Sequence, residues 1–121
     1  MKYMLMMNTP NGPYRVDTWP KKDFQAHIAF MMSFARKLGE AGELVAAEGL
    51  AGPEQARLVR AGQDGKPVTD GVFPETKEFL AGYWIVDVVD EARAIEIAAK
   101  VVDFTREPLE VRQVMDAPPE V

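Results

Sequence analysis

The chain offers few side chains for catalysis, and its single histidine, His27, stands out among them. An imidazole titrates at about pH 6.5, so near neutral pH it can accept or donate a proton. His27 shares an apolar helical stripe with Phe24 and Met31, which is also an ordinary position for a histidine at the rim of a core. The residue types therefore leave two interpretations of His27 open: general acid–base chemistry, or a structural role at the rim of the core.

Charged residues crowd the segment 70–78, where Asp70, Glu75 and Glu78 surround Lys77. Such a cluster can bind a polar substrate, or raise the pKa of one carboxyl group through like-charge repulsion. An Asp before a Gly also stabilises a turn through its side chain, and charges on a loop are usually solvated. Asp70 is thus a candidate partner of His27 or a turn-forming residue, and Glu75 and Lys77 are candidate substrate-binding residues.

A second cationic group comes from Arg57 and Arg60, which alternate along a predicted ribbon. An arginine can bind a substrate carboxylate through paired hydrogen bonds, which makes Arg57 a candidate substrate ligand. Edge ribbons also carry charges that resist aggregation, which is the structural alternative.

Other kinds of site find little support in the residue types. The chain has no cysteine, which removes disulfides, a thiolate nucleophile and cysteine-based zinc sites. Its only serine, Ser33, falls on the polar side of a predicted helix, and no His/Glu spacing suggests a metal site. We therefore expect neither a metal nor a cofactor.

Charge and length restrict the partners and the class of protein. The 121 residues carry 14 Lys+Arg against 19 Asp+Glu, a net charge of −5, and the longest basic run is Lys21-Lys22. Nucleic acids and anionic membranes are therefore disfavoured as partners. The longest apolar run, residues 79–86, is far shorter than the roughly 20 residues that span a bilayer. We expect a soluble, cytoplasmic protein with one domain over residues 1–115 and a flexible tail over 116–121.

The apolar periodicity and the turn residues predict the elements that position these side chains. They are a strand 2–8, a helix 20–41 capped by Thr18, a strand 43–51, a hairpin of 56–61 with 68–69, a strand 79–89, a helix capped by Asp90 and a strand 109–115. The predicted buried stripes are Phe24, Ile28, Met31, Phe34, Ala35 and Leu38 in the first helix and Ala92, Ile95, Ala98, Ala99 and Val102 in the second. This order predicts a ferredoxin-like α+β fold, a split βαβ arrangement with both helices on one face of an antiparallel sheet.

The second face of that sheet is predicted to be apolar as well. Met4 and Met6 alternate with the core-facing side of the first strand, and Tyr83 and Ile85 do the same in the strand 79–89. A monomer rarely exposes such a patch, so a second copy packed sheet to sheet is the simplest cover. A larger monomeric core closed by the ribbon 52–78 is the alternative.

A family resemblance rests on the segment Asp70-Gly71-Val72-Phe73-Pro74-Glu75-Thr76-Lys77-Glu78. It resembles the signature of the YCII-related, or DGPF-domain, family, with Val72 in place of the signature proline. The resemblance extends to Met1-Lys2-Tyr3-Met4-Leu5, Glu40-Ala41-Gly42, Glu48-Gly49-Leu50 and Gly82-Tyr83-Trp84, and covers the chain to about residue 115.

This resemblance implies a ferredoxin-like subunit that forms a homodimer as an α+β barrel. It also implies relatives that are small cofactor-independent enzymes, such as lactone isomerases or dehalogenases, and an active centre built on a His–Asp pair. By the family pattern, the histidine position is Met31 here, and His27 lies one helical turn earlier on the same face. Asp103 is the aspartate partner that the pattern suggests, and Phe73 of the signature is expected to contact the substrate.

Two functions follow as hypotheses. The first is a cofactor-free isomerase, lyase or dehalogenase-like enzyme that acts on a small organic molecule. In it His27 exchanges the proton, Asp70 or Asp103 orients the imidazole, and Tyr83 and Trp84 line the pocket. The second is a non-catalytic dimer that binds a small ligand or another protein, because some members of the family are fused to, or encoded beside, sigma-factor regulators.

Overall fold

The computed structural model describes residues 1–10, 19–70 and 78–119. In chain order the elements are β1 (Lys2–Pro10), α1 (Lys21–Glu40), β2 (Leu44–Gly49), β3 (Leu58–Ala61), β4 (Pro67–Asp70), β5 (Glu78–Asp87), α2 (Glu91–Thr105) and β6 (Glu110–Gln113), with a short 3₁₀ turn at Pro53–Gln55. The predicted α+β fold is confirmed. The predicted boundaries differ from the observed ones by a few residues, and β2 and β6 are each shorter than predicted at both ends.

Four strands form one antiparallel sheet in the order β2-β5-β1-β6, and β3 pairs with β4 as a separate hairpin. The central pair sets Leu5 opposite Trp84 and Met7 opposite Gly82. The register between β1 and β5 shifts just after Met7, and the register between β2 and β5 shifts beside Val45. The two β-α-β halves therefore interleave, because β1 of the first half lies between β5 and β6 of the second.

One hydrophobic core joins both helices to one face of the sheet. Leu5 and Val86 are fully buried in the central strands, and they share this core with Phe34 of α1 and Ile97 of α2. Because strand side chains alternate between faces, a single core with contributions from both helices places both helices on the same face. The remaining buried members are Tyr3, Met7, Leu38, Trp84, Val88, Ala94, Ala98 and Val101.

The end of α1 is closed by two backbone hydrogen bonds. The Gly42 N–H donates to the carbonyl of Gly39 at 3.0 Å, and the Glu43 N–H donates to that of Leu38 at 2.9 Å. Gly42 has a φ of +73°, which an L side chain rarely adopts, so glycine lets the chain turn sharply into β2. At the other end α1 begins after Pro20, and Thr18, its predicted cap, lies outside the described residues.

Helix α2 begins as predicted, with the Asp90 carboxylate accepting a hydrogen bond from the Arg93 N–H at 2.9 Å. Its predicted buried stripe is wrong by about one residue: Ile95 is exposed, and Ile97 takes the core position. The helix is apolar around much of its circumference, so more than one stripe fits the pattern. Ala94, Ala98 and Val101 complete the observed buried side, while Ala92 and Ala99 are exposed.

An ion pair fixes the rotation of α2 against the sheet. The Arg93 guanidinium donates two hydrogen bonds to the carboxylate of Glu43, at 2.9 and 2.8 Å, just before β2 begins. Hydrogen bonding to Arg93 lowers the pKa of Glu43, so the carboxylate stays ionised across the neutral range. The pair therefore holds the Arg93 side of the helix toward β2.

The two central strands are apolar on the second face of the sheet, as the alternation predicts, while the flanking strands place Glu48, Glu110 and Arg112 on the same face. Met4 lies opposite Ile85 and Met6 opposite Tyr83, and all four side chains stay partly exposed. Every residue of β3 is exposed, so the described part of the ribbon 52–78 gives no support to a larger monomeric core. Within the described residues, neither helix is long and apolar enough to cross a membrane.

Replacement of Ile97 by Ala tests the corrected register of α2. Ile97 is 1% exposed and Ile95 is 52% exposed. Ile97→Ala should lower the free energy of unfolding by about 2–4 kcal/mol, because it leaves a cavity in the core. Ile95→Ala, the matched control on the same helix, should change it by less than about 1 kcal/mol. Urea denaturation followed by circular dichroism measures both, and equal losses would contradict the assigned face.

Candidate functional site

A cavity of about 380 Å³ lies between α1 and the sheet. Its floor includes Met7 of β1, Gly82 and Trp84 of β5, and Ala47 and Gly49 of β2. Side chains of α1 form the opposite wall: His27, Ile28, Met31, Met32 and Ala35. The walls are mainly apolar, and His27 is the one histidine on them.

Two glycines that face each other across β2 and β5 shape the floor. A Cβ on Gly82 would lie 2.9 Å from the carbonyl oxygen of Glu48, so only glycine allows β2 to approach β5 this closely. A Cβ on Gly49 would meet no atom within 4 Å. Gly82 thus serves the packing of the sheet, while Gly49 leaves space at the cavity edge.

His27 is half-buried on the cavity wall. Its ring meets the Trp19 ring edge to face, with the ring centres 5.3 Å apart. His27 also borders a second cavity, of about 430 Å³, lined by Trp19, Asp23 and Phe104 at the start of α1. Burial lowers the pKa of His27 below its usual value of about 6.5. At neutral pH the imidazole is therefore uncharged and can accept a proton from a bound molecule.

Aromatic contacts hold the tryptophan at the opposite side of the cavity. The Phe34 ring meets the Trp84 ring edge to face, with centres 6.4 Å apart. Phe34 in turn stacks on Phe30, and Phe30 stacks on Phe104 with centres 4.1 Å apart. These contacts connect the end of α2 to the cavity and leave Trp84 little freedom to rotate.

The carboxylates proposed as partners of His27 lie elsewhere or are not described. Asp103 borders a groove between α2 and β6, with its side chain 83% exposed and 3.8 Å from the Arg106 guanidinium. Asp70 ends β4, and its side chain lies outside the described part of the chain. Among the described residues no carboxylate hydrogen-bonds to His27, and no group of three or more acidic or histidine side chains is placed to hold a metal.

The proposed substrate-binding residues divide in a similar way. Trp84 and Tyr83 both line the cavity, although strand alternation directs the Tyr83 side chain to the outer face of the sheet. The exposed Arg57 guanidinium donates a hydrogen bond to the carbonyl of Ala56 at 2.9 Å, next to its own position. Phe73, Glu75 and Lys77 lie outside the described residues.

Several residues that line the cavity were not predicted as site residues from the sequence. Met31 was noted only as a buried helix position and as the family position for histidine, yet it and His27 line the same cavity one helical turn apart. Gly49 and Gly82 were noted only as parts of a resemblance. Their role depends on the register of β2 against β5, and that register shifts at a bulge that no sequence signal announces.

The chain was compared with models of known families. The family model described as the YCII-related domain matches residues 1–118. A search of the curated proteins finds no match to the chain.

An NMR pH titration of the single imidazole tests its environment. We expect a pKa below about 6.5, because burial disfavours the charged ring, and a return toward that value in Trp19→Ala, which exposes the ring. Since the unfolded chain then binds the proton more readily, His27 should lower the stability of the fold as the pH falls below about 6.5. His27→Gln, which removes this titration, provides the control, and a pKa at or above 6.5 would contradict the assignment.

Proposed function

The chain belongs to the YCII-related family, and from this premise we propose that it is a cofactor-independent enzyme that exchanges a proton between His27 and a small organic molecule. The observation that carries the proposal is the position of His27, the one histidine of the chain, on the wall of a cavity large enough for such a molecule. Burial keeps its ring uncharged at neutral pH, which is the form that a general base requires.

Isomerisation is the reaction class that His27 can complete with the fewest other groups. The imidazole takes a proton from a carbon that an adjacent carbonyl group has made acidic, and the electron pair left behind moves into the conjugated system. The resulting imidazolium returns a proton at another carbon, either the one it removed or one exchanged with solvent, so atoms and charge balance without a co-reactant. Trp84, held by Phe34, supports this proposal as a rigid wall against which the substrate can be oriented.

A second function, ligand binding without turnover, has one observation in its favour. The walls beside His27 are mainly apolar, and Asp103 borders a different groove, so the described residues include no carboxylate that orients the imidazole. A histidine in such surroundings can simply donate a hydrogen bond to a ligand. The two functions share the cavity and differ only in whether His27 is needed for a chemical step.

We also propose that the protein is a homodimer of ferredoxin-like subunits that pack sheet to sheet. The strand order β2-β5-β1-β6 with both helices on one face supports the subunit fold. The partly exposed side chains of Met4, Met6, Tyr83 and Ile85 on the other face support the mode of association. A second copy would remove this apolar surface from water, which is a common basis for two-fold association.

Substitutions at His27 and Gly49 separate catalysis from binding. The assay is isomerisation and deuterium uptake by a panel of small unsaturated lactones in D₂O, followed by NMR, and binding is followed by tryptophan fluorescence. His27→Gln should lower turnover by at least about a hundredfold and preserve binding. Gly49→Val should reduce both, because its side chain enters the space at the cavity edge.

The control is Gly39→Val in α1, where an added Cβ also meets no atom within 4 Å but lies outside the cavity. This variant should keep both activities. Binding by the wild-type protein without turnover of any lactone would support the second function. Turnover that His27→Gln leaves unchanged would refute the acid–base role.

Sedimentation velocity at micromolar concentration tests the proposed dimer. The wild-type protein should sediment at twice the mass of the chain, and Met6→Lys should convert it to a monomer, because burial of an unpaired ammonium is costly. Val89→Lys is the control, since Val89 is 79% exposed. A wild-type protein that sediments as a stable monomer would refute the dimer.

A further inference from the structure

The charges around the cavity between α1 and the sheet restrict the ligands that it can bind. No Lys or Arg is present among the described residues that line it, and the ionisable members of that lining are His27, Glu48 and Tyr83. Glu48 is an exposed strand residue that neighbours the floor residues Ala47 and Gly49, so alternation directs its carboxylate to the outer face of the sheet. The part of the lining that the structure describes therefore presents no fixed cation to a ligand.

We propose that the ligand of this cavity is an uncharged, flat, ring-containing molecule with one polar group, and not an organic anion. The inference rests on the proposed function in one respect, because it concerns the cavity that His27 borders. It adds the chemical class of the ligand, which the position of His27 alone does not determine.

Loss of hydration disfavours an anionic ligand in this cavity. A carboxylate or phosphate that leaves water for an apolar cavity loses hydration, and only a cation or several hydrogen-bond donors can replace it. An uncharged carbonyl, amide or hydroxyl group needs a single hydrogen-bonding partner, which His27 can supply. The described lining thus favours neutral molecules over anions of the same shape.

The shape of the ligand follows from the two sides of the cavity. Gly49 lies opposite Gly82 on the floor, and a Cβ added to Gly49 would meet no atom within 4 Å, so a ring can lie directly against the backbone of β2 there. Across the gap, Met31 and Met32 present flexible thioether side chains, which adapt to aromatic and unsaturated rings. A puckered ring of equal size would lose part of the contact with the floor.

Matched small probes test the charge preference directly. Benzamide and benzoate have nearly the same shape, and only benzoate is charged at neutral pH. Binding is measured by tryptophan fluorescence and by the shift of the His27 ring protons in NMR. We expect benzamide to bind at least about tenfold more tightly than benzoate, because only the anion must be desolvated without a cation. Cyclohexanecarboxamide, which is uncharged but puckered, should bind more weakly than benzamide.

A lysine in place of Met32 should shift this preference toward the anion. Met32 borders the cavity and is 70% exposed, so a lysine there should fold normally and bring an ammonium group to the rim. Both Met32→Lys and Met32→Gln remove the thioether, so the charge effect is their difference: the ratio of benzoate to benzamide affinity should be severalfold higher in Met32→Lys than in Met32→Gln. Gly49→Val should weaken the binding of benzamide, which places the probe in this cavity.

Benzoate that binds as tightly as benzamide to the wild-type protein would overturn the proposal, and so would a failure of both probes to bind. These outcomes are distinct from failure of the proposed function. If the protein prefers benzamide but His27→Gln leaves turnover unchanged, the ligand class is supported and catalysis by His27 is refuted. If turnover requires His27 but the protein prefers benzoate, catalysis is supported and the ligand class is refuted.

Discussion

The antiparallel pairing of β1 with β5 is the constraint on which the rest of the structure depends. These two central strands are apolar on both alternations, so their pairing creates two apolar faces at once. Helices α1 and α2 bury the first face around Leu5 and Val86. The second face leaves Met6 and Ile85 partly exposed. Two helices cover only one face of such a sheet, and the proposed association through the second face would remove its apolar central strands from water.

The cavity arises because the helix layer and the sheet separate where the strands carry glycine. Leu5 and Trp84 lie opposite each other, and both side chains are buried. The next pair on the same face is Met7 and Gly82, and Gly49 lies opposite Gly82 on the neighbouring strand. A Cβ on Gly49 would meet no atom within 4 Å, so this glycine leaves space open at the cavity edge. The close approach of β2 to Gly82 shows that one of these glycines is needed for the sheet itself. The cavity is thus partly a consequence of how the edge strand packs.

Sequence patterns predicted the elements better than the site. Asp90 was recognised as a helix-start signal, because capping depends on neighbours a few residues away, which the sequence displays directly. The buried face of α2 was misplaced because Ile95 and Ile97 fit the apolar period equally well, and the choice depends on the distant Arg93–Glu43 pair. The cavity floor depends in the same way on strand register. His27 and Trp84 were predicted as site residues from their residue types, and both line the cavity. Asp103 was predicted from the family resemblance, and it borders a different groove.

An uncharged imidazole in an apolar cavity is best suited to chemistry that conserves charge. If His27 accepts a proton from a neutral molecule, a cation and an anion form together in a medium of low dielectric constant, and their attraction is stronger there than in water. An anionic substrate would gain a second negative charge in the same step, without a cation in the described lining to balance it. The burial that keeps His27 uncharged and the absence of basic residues from that lining therefore favour the same substrates. Neutral molecules suit this site both for entry and for proton transfer.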